Sequence, residues 1–234
     1  MLKVMIGCPL RDRAWVLPRY LDSLEKLGKS QCQVQYAFII NDCSDHSPRI
    51  LAEFSDRQPD MVRLIEKNYD APGGYRRGQY NFSRLAQLRN LLLNVFLQSD
   101  CDYLFSLDSD ILVPANTLTQ LLTDDCDIVS ALVCNGHEIG DDGIYNVLKR
   151  ESDGSYVHIR NFPRDRIFPV DCTGAAYLIK RAVIAAGVRY SSRRGGEDIA
   201  FCEDAASRGF NIFCDGRVEC SHLMQEGIGL RDMG

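Results

Sequence analysis

Along the first half of the chain, short apolar runs alternate with segments whose apolar residues recur every three or four positions, the signature of βαβ units and a largely parallel sheet. "LKVMIG" reads as the first strand and "VLPRYLDSLEKLG" as the helix after it. In that helix Leu17, Tyr20, Leu21, Leu24 and Leu27 form the buried stripe, Pro18 suits the first turn and Gly28 the exit. "VQYAFIIND" reads as strand two, "SPRILAEFSDR" as a helix with Ser47 as N-cap and Pro48 at its first position, and "MVRLIEK" as strand three. Between Lys67 and Tyr80 the residues Pro72, Gly73, Gly74 and Gly78 forbid regular structure, which predicts a loop. A long helix follows in "NFSRLAQLRNLLLNVFLQS", its apolar positions running Leu85, Leu88, Leu92, Val95 and Phe96. "CDYLFSLD" is then a buried strand, and "PANTLTQLL" and "CDIVSALV" add one more helix and strand.

Near residue 135 the alternation gives way. "GIYNVLKR" and "SYVHIR" read as a hairpin over a polar turn, and "DCTGAAYLIKRAVIAAG" as a strand running into a helix. "GGEDIAFCEDAASRGFNIFCD" reads as a helix opened by Glu197 and Asp198, closed by Gly209 and followed by a strand. The expectation is a single α/β domain over residues 1–234, with a mixed, mainly parallel central sheet flanked by helices.

Composition narrows the function. A net charge of -5 argues against wholesale binding to nucleic acid or an anionic membrane surface, which needs a concentrated positive field. The ten cysteines stand singly with no C-x-x-C pair, so they read as small buried hydrophobes in a reducing compartment. The N-terminal segment lacks the pattern of a signal peptide, and no apolar run approaches a membrane span, so a cytoplasmic location is expected.

In an open α/β sheet, ligands bind outside the carboxyl ends of the parallel strands. Strand one ends at Pro9, strand two at Asp42 and strand four at Asp108, which places the three along one edge. Three Asp pairs with i, i+2 spacing occur in the chain, but only Asp108 and Asp110 are flanked by apolar runs, "YLFSL" and "ILV". Two neighbouring carboxylates repel unless a cation or donor offsets them, and hard oxygen ligands suit Mg²⁺ or Mn²⁺. A simple turn at the strand's end needs only one Asp.

Taken in order, these stretches resemble the nucleotide-sugar-dependent glycosyltransferases of the GT-A fold, especially the family-2-like group. "VMIGCPLRDRAWVLPRYLDSL" resembles that group's first strand and helix, "FIINDCSDHSPRIL" its nucleotide-contacting strand, and "SRLAQLRN" its helix with a nucleotide-binding Arg. "YLFSLDSDILVP" resembles the D-x-D strand, "CTGAAYLIKR" the strand beside the donor sugar, "GGEDIAFCEDAASRG" the acidic motif, and "CSHLM" a third metal ligand. The resemblance implies a nucleotide-binding half over residues 1–134 and an acceptor and donor-sugar half over residues 135–234. It assigns Pro9, Arg11, Asp42, Arg84 and Asp108 to the nucleotide, Thr173 and Gly174 to the donor sugar, and Asp108, Asp110 and His222 to the metal. Asp110 is expected to ligate directly and Asp108 through ribose or water, while Arg89 reads equally as structural.

The implied activity is metal-dependent transfer of a sugar from a UDP- or GDP-sugar to a carbohydrate or other hydroxyl acceptor. Inversion would use Asp198 as base, with Glu197 as the alternative. The same segments also resemble retaining mannosyltransferases, and a non-catalytic nucleotide- or glycan-binding relative is the rival outside enzymes. The loop around "PGGYRRG" or the tail "QEGIGLRDMG" is expected to close over the donor.

Overall fold

The computed structural model describes residues 1–69, 81–136, 140–194 and 196–223. The "PGGYRRG" loop and the "QEGIGLRDMG" tail lie outside these residues. In chain order the elements are β1 (Leu2–Leu10), α1 (Leu17–Glu25), β2 (Cys32–Ile40), α2 (Ser47–Arg57), β3 (Val62–Glu66), α3 (Phe82–Leu97), β4 (Tyr103–Leu107), β5 (Ile111–Leu112) and α4 (Thr117–Asp124). The second half supplies β6 (Ile128–Val133), β7 (Val147–Arg150), β8 (Tyr156–His158), β9 (Ile167–Pro169), β10 (Cys172–Thr173), β11 (Ala176–Lys180), α5 (Arg181–Ala185), α6 (Glu197–Ser207) and β12 (Ile212–His222).

A nine-stranded sheet runs in the order β3-β2-β1-β4-β11-β6-β12-β5, with β9 on the side of β12. Strands β3, β2, β1 and β4 are mutually parallel, as are β6 and β12, while β11 lies antiparallel between β4 and β6. The expected hairpin forms as β7 and β8 and joins β10 in a small second sheet. Successive residues of β1 alternate between two cores: Val4, Ile6 and Cys8 face α1, α2 and α4, whereas Met5 faces α3, α5 and α6. Helices thus cover both faces, which explains the nearly unbroken apolar runs of the central strands.

Local chemistry departs from expectation at two places. Ser47 is not the cap of α2: its hydroxyl accepts the Arg13 N–H at 2.7 Å, and the Asp45 carboxylate accepts the Ser47 N–H instead. Gly28 follows α1 without a left-handed backbone. A Cβ there would sit 3.2 Å from both Ala115 O and Thr119 Oγ1, so close packing on the start of α4 is what asks for glycine. Gly209, at φ +87°, does end α6 as expected. All ten cysteines are free thiols, eight of them buried. No helix among the described residues is long and apolar enough to cross a membrane.

Candidate active site

The carboxyl ends of β1, β2 and β4 share one rim, and backbone strain collects there. Among the described non-glycine residues, Asp12, Asp42 and Ala175 adopt positive φ of 50°, 43° and 66°, the first two just past β1 and β2 and the third against Asp108, whose N–H donates to Ala175 O at 2.8 Å. The fourth such residue, Asp125, only ends helix α4. Strain of this kind persists where surrounding structure enforces it.

Asp110 and His222 meet through the last strand. β12 runs parallel to β6, with an irregularity between Asp215 and Glu219, as far as Cys220, and its last residues pair antiparallel with β5, placing His222 opposite Ile111. The Leu223 N–H donates to Asp110 O at 2.8 Å, and His222 Nε2 comes to 3.9 Å from Asp110 Oδ1. Two ligands on one cation at about 2.1 Å stand between roughly 3 and 4 Å apart, so this spacing accommodates Mg²⁺ or Mn²⁺. His222 Nδ1, buried on the far side of the ring, has no hydrogen-bond partner among the described residues. Burial raises the pKa of Asp110, Arg13 and His222 act against that, and the net shift is upward. Arg13 Nη2 stands 3.5 Å from Asp110 Oδ2. The donor set of one carboxylate and one imidazole fits a divalent cation.

Asp108 does not close on the same point. Its Oδ1 accepts the Arg89 Nη2 at 2.8 Å, so among the described residues Asp108, Asp110 and His222 do not gather as three ligands. The grouping that does gather, Asp12, Cys43 and Asp45, is already occupied in shaping turns. There Asp12 Oδ1 accepts the Ser44 N–H and hydroxyl, and Asp45 accepts the Ala14 and Ser47 N–H groups.

Arg89, on the inner face of α3, is the hub behind this rim. Only 3% exposed, it donates Nε to Glu197 at 3.1 Å, Nη1 to Ser106 at 3.3 Å and Nη2 to Asp108. Burial opposes its charge, but the surrounding carboxylates outweigh this and keep the guanidinium ionised. Glu197 is therefore closed in an ion pair and 5% exposed.

The Asp198 carboxylate lies beside β10 and the turn at Gly174. Its Oδ1 accepts the Tyr177 hydroxyl at 3.0 Å, and a Cβ built on Gly174 would fall 2.2 Å from its Oδ2. Position 174 must be glycine for the carboxylate to rest there. Burial, opposed by Arg89 and reinforced by Glu197 and Asp108, pushes the Asp198 carboxyl up to about 7. Thr173 turns inward, donating to Ser130 Oγ at 2.7 Å, so only its backbone borders the site. Asn146 ties that backbone down: its Nδ2 donates to Ala131 O at 3.0 Å and to Gly174 O at 2.9 Å, and its Oδ1 accepts the Val133 N–H at 2.8 Å.

At the β2 end, Asp42 Oδ1 accepts the Tyr69 N–H at 2.9 Å and Oδ2 accepts the Asn41 amide at 3.0 Å. Arg84 and Lys67 lie 5.0 and 5.3 Å from the centre of the Tyr69 ring. Asp42 and Arg84 thus converge on an aromatic that sequence pattern did not single out. Arg11 forms an ion pair with Asp12 at 3.6 Å, and Pro9 pairs with Ile39 inside the sheet. Asn146, Tyr177 and Tyr190 were likewise not identified from the sequence, since nothing in an isolated polar residue of an apolar strand announces its partner.

A family model described as Anp1 matches residues 2–150, which include β1, β2, the Asp108–Asp110 turn and β6. The chain belongs to the Anp1 family. This is a family of mannosyltransferase type, and the Anp1 chain described here has the GT-A fold. It is 25% identical over 153 residues to procollagen-lysine,2-oxoglutarate 5-dioxygenase 1 of Gallus gallus, covering 59% of this chain and 20% of that protein. Among solved structures, GalNAc-T7 with UDP, GalNAc and Mn²⁺ aligns at a TM-score of 0.70 and 14% identity, over 96% of this chain and 44% of that one. The mannosyltransferase PcManGT of Pyrobaculum calidifontis, in complex with GDP-Man and Mn²⁺, aligns at 0.65 and 16% identity, over 96% of this chain and 58% of that one. TarS of S. aureus aligns at 0.62 and 13% identity, over 96% and 37%. At these identities the structures show a shared fold, and this chain spans less than two thirds of each.

Proposed function

We propose that this Anp1-family chain transfers mannose from GDP-mannose to a hydroxyl acceptor with retention of anomeric configuration, and that Asp110 and His222 hold the Mn²⁺ or Mg²⁺ it uses. The observation that carries the stereochemical reading is that both acidic side chains are engaged by protein groups, Glu197 buried and Asp198 partly exposed. Glu197 is closed on Arg89, while Asp198 has one oxygen under Tyr177 and the other against Gly174. Inversion asks for a base within reach of the acceptor hydroxyl. Retention on the donor's own face does not: the acceptor oxygen bonds to C1, the C1–O(phosphate) bond breaks, and the acceptor proton passes to the departing diphosphate oxygen. Asp198 then orients the sugar from the donor strand and offsets the positive charge growing at C1. When bound, the cation offsets charge on the departing diphosphate.

Two observations support the donor. The family is of mannosyltransferase type, and PcManGT, similar in fold over 96% of this chain, binds GDP-Man. Carboxylates at Asp12, Asp42 and Asp45 crowd the ends of β1 and β2, and although each already accepts protein N–H groups, its oxygens have further lone pairs to offer. Guanine offers them N1–H and an amino group, whereas uracil offers a single N–H.

The test is ¹H NMR of the first product formed from GDP-α-mannose with Mn²⁺ and a saccharide acceptor. An α-mannoside is expected, and a β-mannoside would overturn retention. In thermal shift, GDP-mannose with Mn²⁺ should stabilise the chain more than UDP-sugars do, and Asp110→Ala or His222→Ala should remove the metal-dependent part. Stabilisation by UDP-sugars alone would overturn the assigned base.

A further inference from the structure

We propose that Tyr177, braced by Tyr190, is a positioning residue that fixes the Asp198 carboxylate against Gly174 on the donor strand. The inference rests on the reading above, in which Asp198 faces the donor sugar.

Tyr177 lies on β11, wholly buried between β4 and β6. It has one hydroxyl proton, which it gives to Asp198 Oδ1 at 3.0 Å. Its oxygen is also in hydrogen-bond contact with the Tyr190 hydroxyl, so the proton of that second contact comes from Tyr190. Tyr190 is itself pinned: its N–H donates to Asn90 Oδ1 and its carbonyl accepts from Asn90 Nδ2, both at 2.9 Å. Ser106 accepts from Arg89 at 3.3 Å beside this pair. A directed chain therefore runs Tyr190, Tyr177, Asp198, each link polarising the next.

Helical spacing explains how one element engages the whole brace. Asp198 and Phe201 stand three residues apart on α6 and share a face. Phe201 stacks on the Tyr190 ring at 4.3 Å and meets the Tyr177 ring edge-on at 6.2 Å, while Asp198 takes the hydroxyl. With Gly174 blocking the other side, the carboxylate is held between the strand backbone and the phenol.

The groups facing Asp198 are Arg89 from α3, Glu197 from its own helix, Asp108 from the end of β4, Tyr177 from β11 and Tyr190 from the segment after α5. Of these, Arg89 and, to a lesser extent, the Tyr177 hydrogen bond favour the ionised carboxylate. Loss of that hydrogen bond moves the Asp198 titration upward.

The experiment compares wild type, Tyr177→Phe, Tyr190→Phe, Asp198→Asn and the Tyr177→Phe/Asp198→Asn double variant. Asp198 is titrated by carboxyl ¹³C NMR in the enzyme without donor, and mannosyl transfer is followed across pH. Tyr177→Phe keeps the ring and should raise the Asp198 titration, lower kcat roughly tenfold, leave the donor KM within about twofold, and have no further effect in the Asp198→Asn background. An unmoved titration, or the same loss of kcat in both backgrounds, would show that Tyr177 only packs. If Tyr177→Phe does not fold, Tyr190→Phe gives the same readout with a smaller upward shift expected, and an unmoved titration there overturns the brace. Because the titration needs no donor, it tests the brace even if the product proves inverted.

Discussion

Replacing Gly174 with alanine probes the placement of Asp198 directly. The new methyl would lie 2.2 Å from Asp198 Oδ2 and 2.7 Å from its Cγ. An unstrained contact of this kind is about 3.3 Å, so the carboxylate must withdraw by roughly 1 Å, which breaks its 3.0 Å bond to Tyr177. Overpacking costs about 1–3 kcal/mol and a lost hydrogen bond to a charged group about 1.5–3 kcal/mol. The two overlap because both follow from one displacement, which gives about 2–4 kcal/mol in all. Gly174 is not among the glycines with positive φ, so the backbone accepts alanine. Removing the obstacle should therefore remove the cost: in an Asp198→Ala background, Gly174→Ala should cost less than about 0.5 kcal/mol, helped by the smaller entropy of the unfolded chain. Urea denaturation of the four proteins in the cycle measures both steps. Equal destabilisation in the two backgrounds would refute the contact between Gly174 and Asp198.

Arg89→Ala should destabilise by about 3–5 kcal/mol, because it leaves Glu197 and Asp108 without their shared cation, and Arg89→Lys should recover only part of that. Chemical denaturation checks it, and a loss below about 1 kcal/mol would remove Arg89 as hub. Asp198 titrates near 7 in the folded chain, above its ordinary value of 3.8, so the folded state binds the extra proton between those limits. Its contribution is then fully present below about pH 4 and lost as pH rises through about 7. Wild type should lose stability relative to Asp198→Asn between pH 5 and pH 8, on the order of 1–3 kcal/mol. Parallel pH profiles of urea unfolding would contradict this.

Hydrophobic pattern made the strands and the rim legible, because an apolar run ending in a polar residue reports both burial and where burial stops. That is why β1, β2 and β4 and the placement of Asp42, Asp108 and Asp110 could be read from the chain. Pattern does not report the direction in which a rim side chain turns. Asp108 turns to Arg89 and Glu197 is sealed by the same guanidinium, each through contacts between residues far apart in sequence. Ser47 looked like a cap because its neighbours fit a local rule, yet a backbone N–H from the loop after β1 claims its hydroxyl. The meeting of Asp110 with His222 depends on β12 passing from β6 to β5 after Cys220, a change of partner that no periodicity encodes. The glycine at 174 is readable only once the carboxylate opposite it is known.

That strand change also sets an order of events. Asp110 emerges with the first half of the chain, but its imidazole partner belongs to the last described strand and reaches it only through the β5–β12 pairing, one of the longest-range contacts in the molecule. Contacts of such separation close late because the intervening chain must first be ordered. On the proposed reading, cation binding at this pair would report finished topology: a chain stalled with β12 undocked would carry the aspartates and not the site.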